Sequence, residues 1–388
     1  MKPIYLDYNG TTPHDPEVVA AMRPYLEEEF GNPSSGHLYA AAPRQALNAA
    51  RRQVAGLLNC APEEVVFTSG GTEANNWAII GTANALRDRG RHVVTSAFEH
   101  PAVLRVCAFL EKTGCEVTCL PVAPDGVVRV RDLEAAIRPD TILVTTMHAN
   151  NEVGTIQPIA EIAALARSRG IRVHTDAAQS LGKIPADVQE LGVDLLSLAG
   201  HKLYAPKGVG ALYIRGGVAL ETFMRGAGQE MGRRAGTENI LEIVGLGKAC
   251  EVAARNMEQS SRHMQAMRDR LHAAIASGLS EVRLNGHPEM RLPNTLSLSF
   301  RGLEANRILE AIGLEVAASA GAACHADSVE ISHVLKAMAV PVEWAKGTLR
   351  LTTGRMTTAT EIDRAADVIV NAVKAMRKKQ GKRGGGGG

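Results

Sequence analysis

What most constrains this chain is a rhythm of short β-branched runs, each followed by a polar or glycine-rich turn and then a helix-length segment. Val65-Val66-Phe67-Thr68 runs into Ser69-Gly70-Gly71-Thr72 and a helix over Ala74–Leu86. His92–Ser96 leads to Phe98-Glu99-His100-Pro101, and Thr141–Met147 leads to His148-Ala149-Asn150-Asn151-Glu152. A run from Val173 ends at Asp176-Ala177-Ala178-Gln179, and Val193–Leu198 ends at Ala199-Gly200-His201-Lys202, before a further strand over Val209–Ile214. Strands separated by helices cannot be joined by hairpins, so they lie parallel, with helices on both faces of the sheet. The expected fold class is therefore α/β, with a mostly parallel sheet in the large domain. Such sheets bind ligands beyond the ends of their strands, which is where these turns fall.

Two of the turns carry a chemistry. A lysine delivered by an apolar run into a turn of small residues is partly desolvated, and desolvation lowers its pKa until the neutral amine can attack an aldehyde. Taken alone, the His201-Lys202 pair reads as a solvated loop. Asp176, at the end of a neighbouring run, changes that reading. Pyridoxal phosphate (PLP) needs a lysine on its aldehyde carbon and an acid against its pyridinium nitrogen. The Gly70-Gly71-Thr72 turn between strand and helix has the geometry that aims backbone N–H groups at a phosphate, although a plain tight turn would look the same. His100, at a strand-to-helix junction, can stack on a planar cofactor or simply cap the helix.

The remaining composition removes other classes. With 388 residues and a net charge of only +2, the chain is not expected to have a nucleic-acid surface as its main business. No apolar run reaches the roughly 20 residues of a membrane span, and the first residues do not read as a signal peptide. The expected compartment is the cytoplasm. Six cysteines in so long a chain do not make a disulfide framework. Cys115 and Cys119 read as buried small hydrophobes on one face of a strand rather than a metal pair, and no metal site is expected. Residues 1–15 are expected to join the small domain. Residues 16–255 form the large domain, residues 256–380 a smaller α+β domain, and residues 381–388 a flexible tail. Arg225–Asn239, basic and rich in glycine, reads as a loop or an arm. Ala320–Ser328 reads as a small-residue loop.

Eleven segments in order resemble a family. YLDYNGTTP, FGNPSS, FTSGGTEANN, FEHPAV, HANNEVG, HTDAAQSLGK, GHKLYAPKGVGALY, GRRAGTEN, LPNTLSLSF, GAACHADS and LRLTTGR cover nearly the whole chain. Together they resemble the cysteine desulfurases of the NifS/IscS type, with selenocysteine lyase as the close sibling, in fold type I of the PLP enzymes (aspartate aminotransferase-like). The resemblance implies a Schiff-base lysine at Lys202, an acid on the pyridinium nitrogen at Asp176, and a contact to the ring oxygen from Gln179. It implies that His100 stacks on the ring and moves protons. Gly71, Thr72 and His201 would hold the phosphate, with Ala199 and Gly200 offering backbone N–H groups. Thr237 would reach the phosphate of a partner subunit, which makes a homodimer part of the site. Asn151 and Arg350 would hold the substrate, Arg350 forking onto its carboxylate. Cys324 would be the nucleophile on a mobile loop, attacking the substrate sulfur as a thiolate and keeping it as a persulfide for an acceptor or scaffold protein in iron–sulfur cluster assembly or thiolation.

Two departures bear on that reading. Ala199 stands where desulfurases usually have serine, which removes a hydroxyl donor to the phosphate. His325 and Asp327 follow Cys324, more in the manner of selenocysteine lyase, and His325 either lowers the pKa of Cys324 or is solvated. L-cysteine is the expected substrate. L-selenocysteine is the first alternative, and an aminotransferase or β-lyase that makes no persulfide is the second.

Overall fold

The computed structural model describes the backbone of residues 2–325 and 328–384, and the side chains of residues 2–321 and 331–380. A two-residue strand, β1 (Ile4–Tyr5), comes first. The central sheet is then built from β2 (Val65–Thr68), β3 (His92–Ser96), β4 (Glu116–Leu120), β5 (Thr141–Thr145), β6 (Arg172–Asp176), β7 (Leu195–Ala199) and β8 (Gly210–Ile214). Their order across the sheet is β2-β8-β7-β6-β5-β3-β4. The pairs among β3, β4, β5, β6 and β7 are all parallel. Only β8 runs against its neighbours β2 and β7. It follows β7 through a turn without an intervening helix, and such a connection returns the chain antiparallel. Every residue of β5 and β7 is buried, as expected of strands covered on both faces. At the sheet edge, β4 has one open face, and there the sequence expectation fails. Cys119 is exposed and Cys115 half-buried, since β4 is an edge strand that pairs with β3 alone.

A second, antiparallel sheet joins β9 (Val282–Leu284), β10 (Thr295–Phe300), β12 (Ser319–Ala320) and β15 (Thr348–Thr352), in the order β12-β15-β10-β9. The short β11 (Val316–Ala317) pairs in parallel with β1. The expected loop at Ala320–Ser328 contains strand instead. β13 (Ala322–His325) pairs with β14 (Ser328–Ile331), setting Cys324 opposite Val329. Ala326 and Asp327 lie outside the described residues, as do the side chains of Cys324 and His325.

Two large cores stand out among the described residues. The first fills the space around the central sheet and the second lies beneath the smaller one, with Ile4 and Leu6 of the N-terminal segment in the second. One helix of 39 residues, Ile240–Gly278, feeds both. Its Ile243, Leu246 and Cys250 enter the first core, and its Leu271 and Ile275 enter the second. The division expected between residues 255 and 256 thus falls inside an unbroken helix, because apolar residues recur at helical spacing on both sides of it. The last helix runs Ala359–Gly384. Residues 381–384 are therefore helical rather than a loose tail. Lysine and arginine are good helix formers, and cations suit a helix C-terminus.

Buried histidines set the acid limit of this core. His174 on β6 bridges Thr145 Oγ1 at 2.8 Å and Ser197 Oγ at 2.9 Å, and complete burial pushes its pKa down to about 3. Burial likewise lowers His148 to about 4. Both rings stay neutral in the fold, while the unfolded chain protonates near pH 6.5. Stability is therefore expected to fall as pH drops from about 6.5 toward 4, by several kcal/mol. Denaturant titrations across that range check it, and His174→Gln is expected to flatten the slope.

Candidate active site

The C-terminal ends of β6 and β7, the turn after β5 and the N-terminus of the Gly71–Ala85 helix converge on one cavity of about 300 Å³. Asp176, Lys202, His100, Gln179, Asn151, Arg350, Gly71, Thr72, Ala199 and His201 all line it. Residues separated widely in sequence meet here because parallel strands deliver their turns to one edge of the sheet.

Lys202 sits in a short 3₁₀ turn directly after β7. Its Nζ donates to the carbonyls of Asn9 and Gly10, both at 2.6 Å. Burial first, and the Arg350 charge second, lower its pKa to about 8, with Asp7 and Asp176 opposing the shift. An amine so placed is appreciably neutral near physiological pH. Asp176 ends β6 and is 7% exposed. Asn75 Nδ2 donates to its Oδ2 at 2.7 Å and the Ala178 N–H to its Oδ1 at 2.9 Å. Two donors fix the carboxylate in orientation on the cavity wall.

His100 caps the Pro101–Lys112 helix, its Nδ1 accepting from the Ala102 N–H at 3.1 Å. The capping reading therefore holds, and the same residue lines the cavity. Desolvation depresses its pKa, with Asp176 opposing the shift and Lys202 and His333 adding to it. His201 is lowered further, to about 4, by burial and by Lys202 and Lys207, and its Nδ1 lies 3.2 Å from Thr11 Oγ1.

Arg350 projects from β15 of the second sheet and closes the cavity from that side. Its Nη2 donates to Asp7 Oδ1 at 2.7 Å and to Ser319 Oγ at 3.1 Å, and its Nη1 to the Asn151 carbonyl at 3.4 Å. Its buried Nε has no partner among the described residues. A guanidinium held by one carboxylate, with a donor to spare, can still receive a second one.

The residues fit PLP. The Gly71–Ala85 helix has no side-chain cap at its N-terminus, and Ala74 is the first residue whose N–H finds a carbonyl of that helix, Gly70 O at 3.1 Å. The N–H groups ahead of it, with the positive dipole end, face the cavity as a phosphate cradle. A Cβ on Gly71 would come within 3.3 Å of the Ala199 Cβ, so glycine keeps that cradle open. Glu73 in the first turn would repel a phosphate, but Arg234 pairs with it at 2.9 Å. The missing hydroxyl at Ala199 thus leaves a cradle of backbone donors. Gly200 is a correction. It does not line the cavity, and its N–H is already given to Val209 O at 3.0 Å within the β7–β8 turn. Thr237 is exposed on this chain and away from its own cavity.

Sequence reasoning passed over the residue that ties the site together. Asn9 is 1% exposed. Its Nδ2 donates to the Asn151 carbonyl at 3.0 Å and to Thr295 Oγ1 at 2.9 Å, and its carbonyl accepts from Gln179 Nε2 at 3.0 Å as well as from Lys202. Its one signal was an asparagine in a turn beside an acidic strand end. Asn75 was quoted within a motif but given no role. In the Asn150–Glu152 turn, only Asn151 lines the cavity, because Asn150 is spent on the turn and on the Phe98 carbonyl at 3.0 Å.

Comparison with known proteins agrees with this geometry. The family model described as aminotransferase class-V matches residues 4–365. A cysteine desulfurase IscS of Methanosarcina thermophila is 48% identical, over 97% of this chain and 93% of its own length. A cysteine desulfurase of Mus musculus is 45% identical, over 97% of this chain and 83% of its own. Among solved structures, a NifS-like protein superposes with a TM-score of 0.91 at 35% identity, covering 96% of this chain and all of that one. A structure of SspA in complex with cysteine gives a TM-score of 0.80 at 36% identity, covering 92% of this chain and 100% of that one. The fold is that of these proteins, and the chain belongs to the class-V aminotransferase family.

Proposed function

We propose that this chain is a PLP-dependent cysteine desulfurase. It takes the sulfur of L-cysteine onto Cys324 and leaves L-alanine. The observation that carries the reading is a depressed-pKa lysine and an oriented, buried aspartate on one cavity that an arginine closes. Bound at Lys202, PLP would supply an electron sink for the substrate Cα. Asp176 would hold positive charge at the ring nitrogen, and the Gly71–Thr72 helix end, with His201, would hold the phosphate. Arg350 and Asn151 orient the substrate carboxylate. Lys202 takes the Cα proton once its amine is free, and His100, on the cavity wall, would support the ring and carry a proton. The Cys324 thiolate then attacks the substrate Sγ. The S–S bond forms as the Cβ–S bond breaks, and Cβ takes a proton, so that cysteine plus thiol becomes alanine plus persulfide.

Further parts of the reading concern assembly. Thr237, which is exposed and does not line its own cavity, is assigned to a partner subunit's phosphate in a homodimer. The persulfide passes to an acceptor or scaffold protein. No helix among the described residues is long and apolar enough to cross a membrane, and we place the enzyme in the cytoplasm, where thiols stay reduced.

The test is a single turnover without reductant, using L-cysteine and L-selenocysteine with wild type and Cys324→Ala. Alanine and a persulfide on Cys324 are expected from cysteine, and neither from the variant. Turnover of selenocysteine alone, persisting in the variant, would replace this reading with a lyase. A keto acid or free sulfide with Cys324 idle would point to transamination or β-elimination.

A further inference from the structure

Lys183 is a buried amine that the reaction above leaves unused. It is 4% exposed. Its Nζ donates to Asn9 Oδ1 and to Gln179 Oε1, each at 3.0 Å. Both partners are neutral amide oxygens. Complete burial, with Lys202 and Arg350 nearby, moves its pKa well below the ordinary lysine value. A neutral amine still donates two hydrogen bonds, and these two contacts use them.

The backbone is shaped to put the amine there. Gly182 has φ +72°, and a Cβ on it would fall 2.1 Å from Leu203 Cδ1, beside Lys202. This left-handed turn, closed by Lys183 N–H to Ser180 O at 3.0 Å, returns the chain beneath Gln179.

The consequence lies in the polarity of one amide. A glutamine side chain offers an acceptor at one end and a donor at the other, and a half-turn exchanges them. With Oε1 held by Lys183, Gln179 must turn Nε2 the other way. One N–H goes to Asn9 O at 3.0 Å, and the second is what Gln179 offers to the cavity it lines. Asn9 is fixed by the same amine. Its Oδ1 takes Lys183 and Asn294 Nδ2 (2.9 Å), which keeps its backbone carbonyl under Lys202.

We propose that Lys183 is a positioning residue that locks Gln179 with its donor toward the cavity, so that the site accepts a ligand bearing an anionic ring oxygen at that point. This rests on the PLP reading of the site. Without Lys183 only the Asn9 carbonyl holds the orientation of the amide, and a flip would present an oxygen, which repels a phenolate.

The test titrates PLP into apo-protein and reads the dissociation constant and the absorption maximum. Lys183→Met and Gln179→Ala are each expected to weaken binding about tenfold, the cost of leaving one buried polar contact unmet, and to move the band. The double variant is expected to lie within about twofold of Gln179→Ala alone, because both act through one amide. Gln179→Glu keeps Lys183 paired but offers only acceptors, to the cavity and to the Asn9 carbonyl alike, so it should lose PLP binding. Equal losses from Lys183→Met in both backgrounds, an unmoved band, or a Gln179→Glu variant that binds as tightly as wild type would each overturn the role of Lys183. Failure of the wild type itself to take up PLP would overturn the cofactor reading, and this inference with it.

Discussion

Lys202→Ala is expected to lower alanine formation from L-cysteine by about 10,000-fold, the upper range for removing a positioned proton-transfer group, with the covalent anchor lost as well. Borohydride will then fail to fix PLP to the protein, whereas the wild type will be labelled at one lysine. The pH dependence gives a finer check. Burial, then the Arg350 charge, hold Lys202 near pKa 8, against the opposing pull of Asp7 and Asp176. Only the neutral amine attacks an aldehyde, so the rate at which apo-protein captures PLP should climb with pH and level off above about 8. Arg350→Ala removes a neighbouring positive charge and should move that midpoint upward. A wild-type midpoint near the ordinary lysine value of 10.5 would contradict the desolvated site.

Asp176→Asn should lower kcat by about 1,000-fold, of the order seen when one preorganised electrostatic contact to a developing charge is removed. The substitution keeps the shape of the side chain. It removes the charge, and it leaves one of two donors, Asn75 Nδ2 or the Ala178 N–H, facing an amide hydrogen. PLP affinity should change less than tenfold, because the phosphate cradle at Gly71 and Thr72 is untouched. Stopped-flow turnover alongside an absorbance titration separates the two effects. An equal loss in both would mean that Asp176 serves the fold rather than the ring.

Much of this site was legible in the sequence, for a physical reason. Parallel strands place their following turns along one edge, so apolar runs ending in Asp176 and Lys202 announced a shared cavity before any contact was known. Arg350 could not be found that way. It comes from β15 of the other sheet, and only the resemblance to a family singled it out. Asn9 and Lys183 stayed hidden because their importance lies in hydrogen bonds across long sequence separations, and nothing in their local composition distinguishes a buried lysine from a solvated one. Gly200 shows the reverse error. A glycine beside a key lysine looked like a phosphate donor, but its N–H belongs to the β7–β8 turn. At Cys119 a regular alternation of side chains gave the right strand and the wrong burial, since alternation cannot tell a central strand from an edge.

The N-terminal segment bears on how the protein is made. Ile4 pairs with Val316, and the Asn9 N–H reaches Thr352 Oγ1 at 3.1 Å. The carbonyls that receive Lys202 thus leave the ribosome well ahead of a support that lies 343 residues further along the chain. At the usual pace of synthesis, about 5–20 residues per second, the opening residues wait roughly 20–70 seconds for their partners. A nascent chain can form its central sheet in that interval without a competent place for PLP. Cofactor capture is therefore a late event, timed by translation of the final strand, and a chain stalled before Thr352 would be largely folded and still chemically silent.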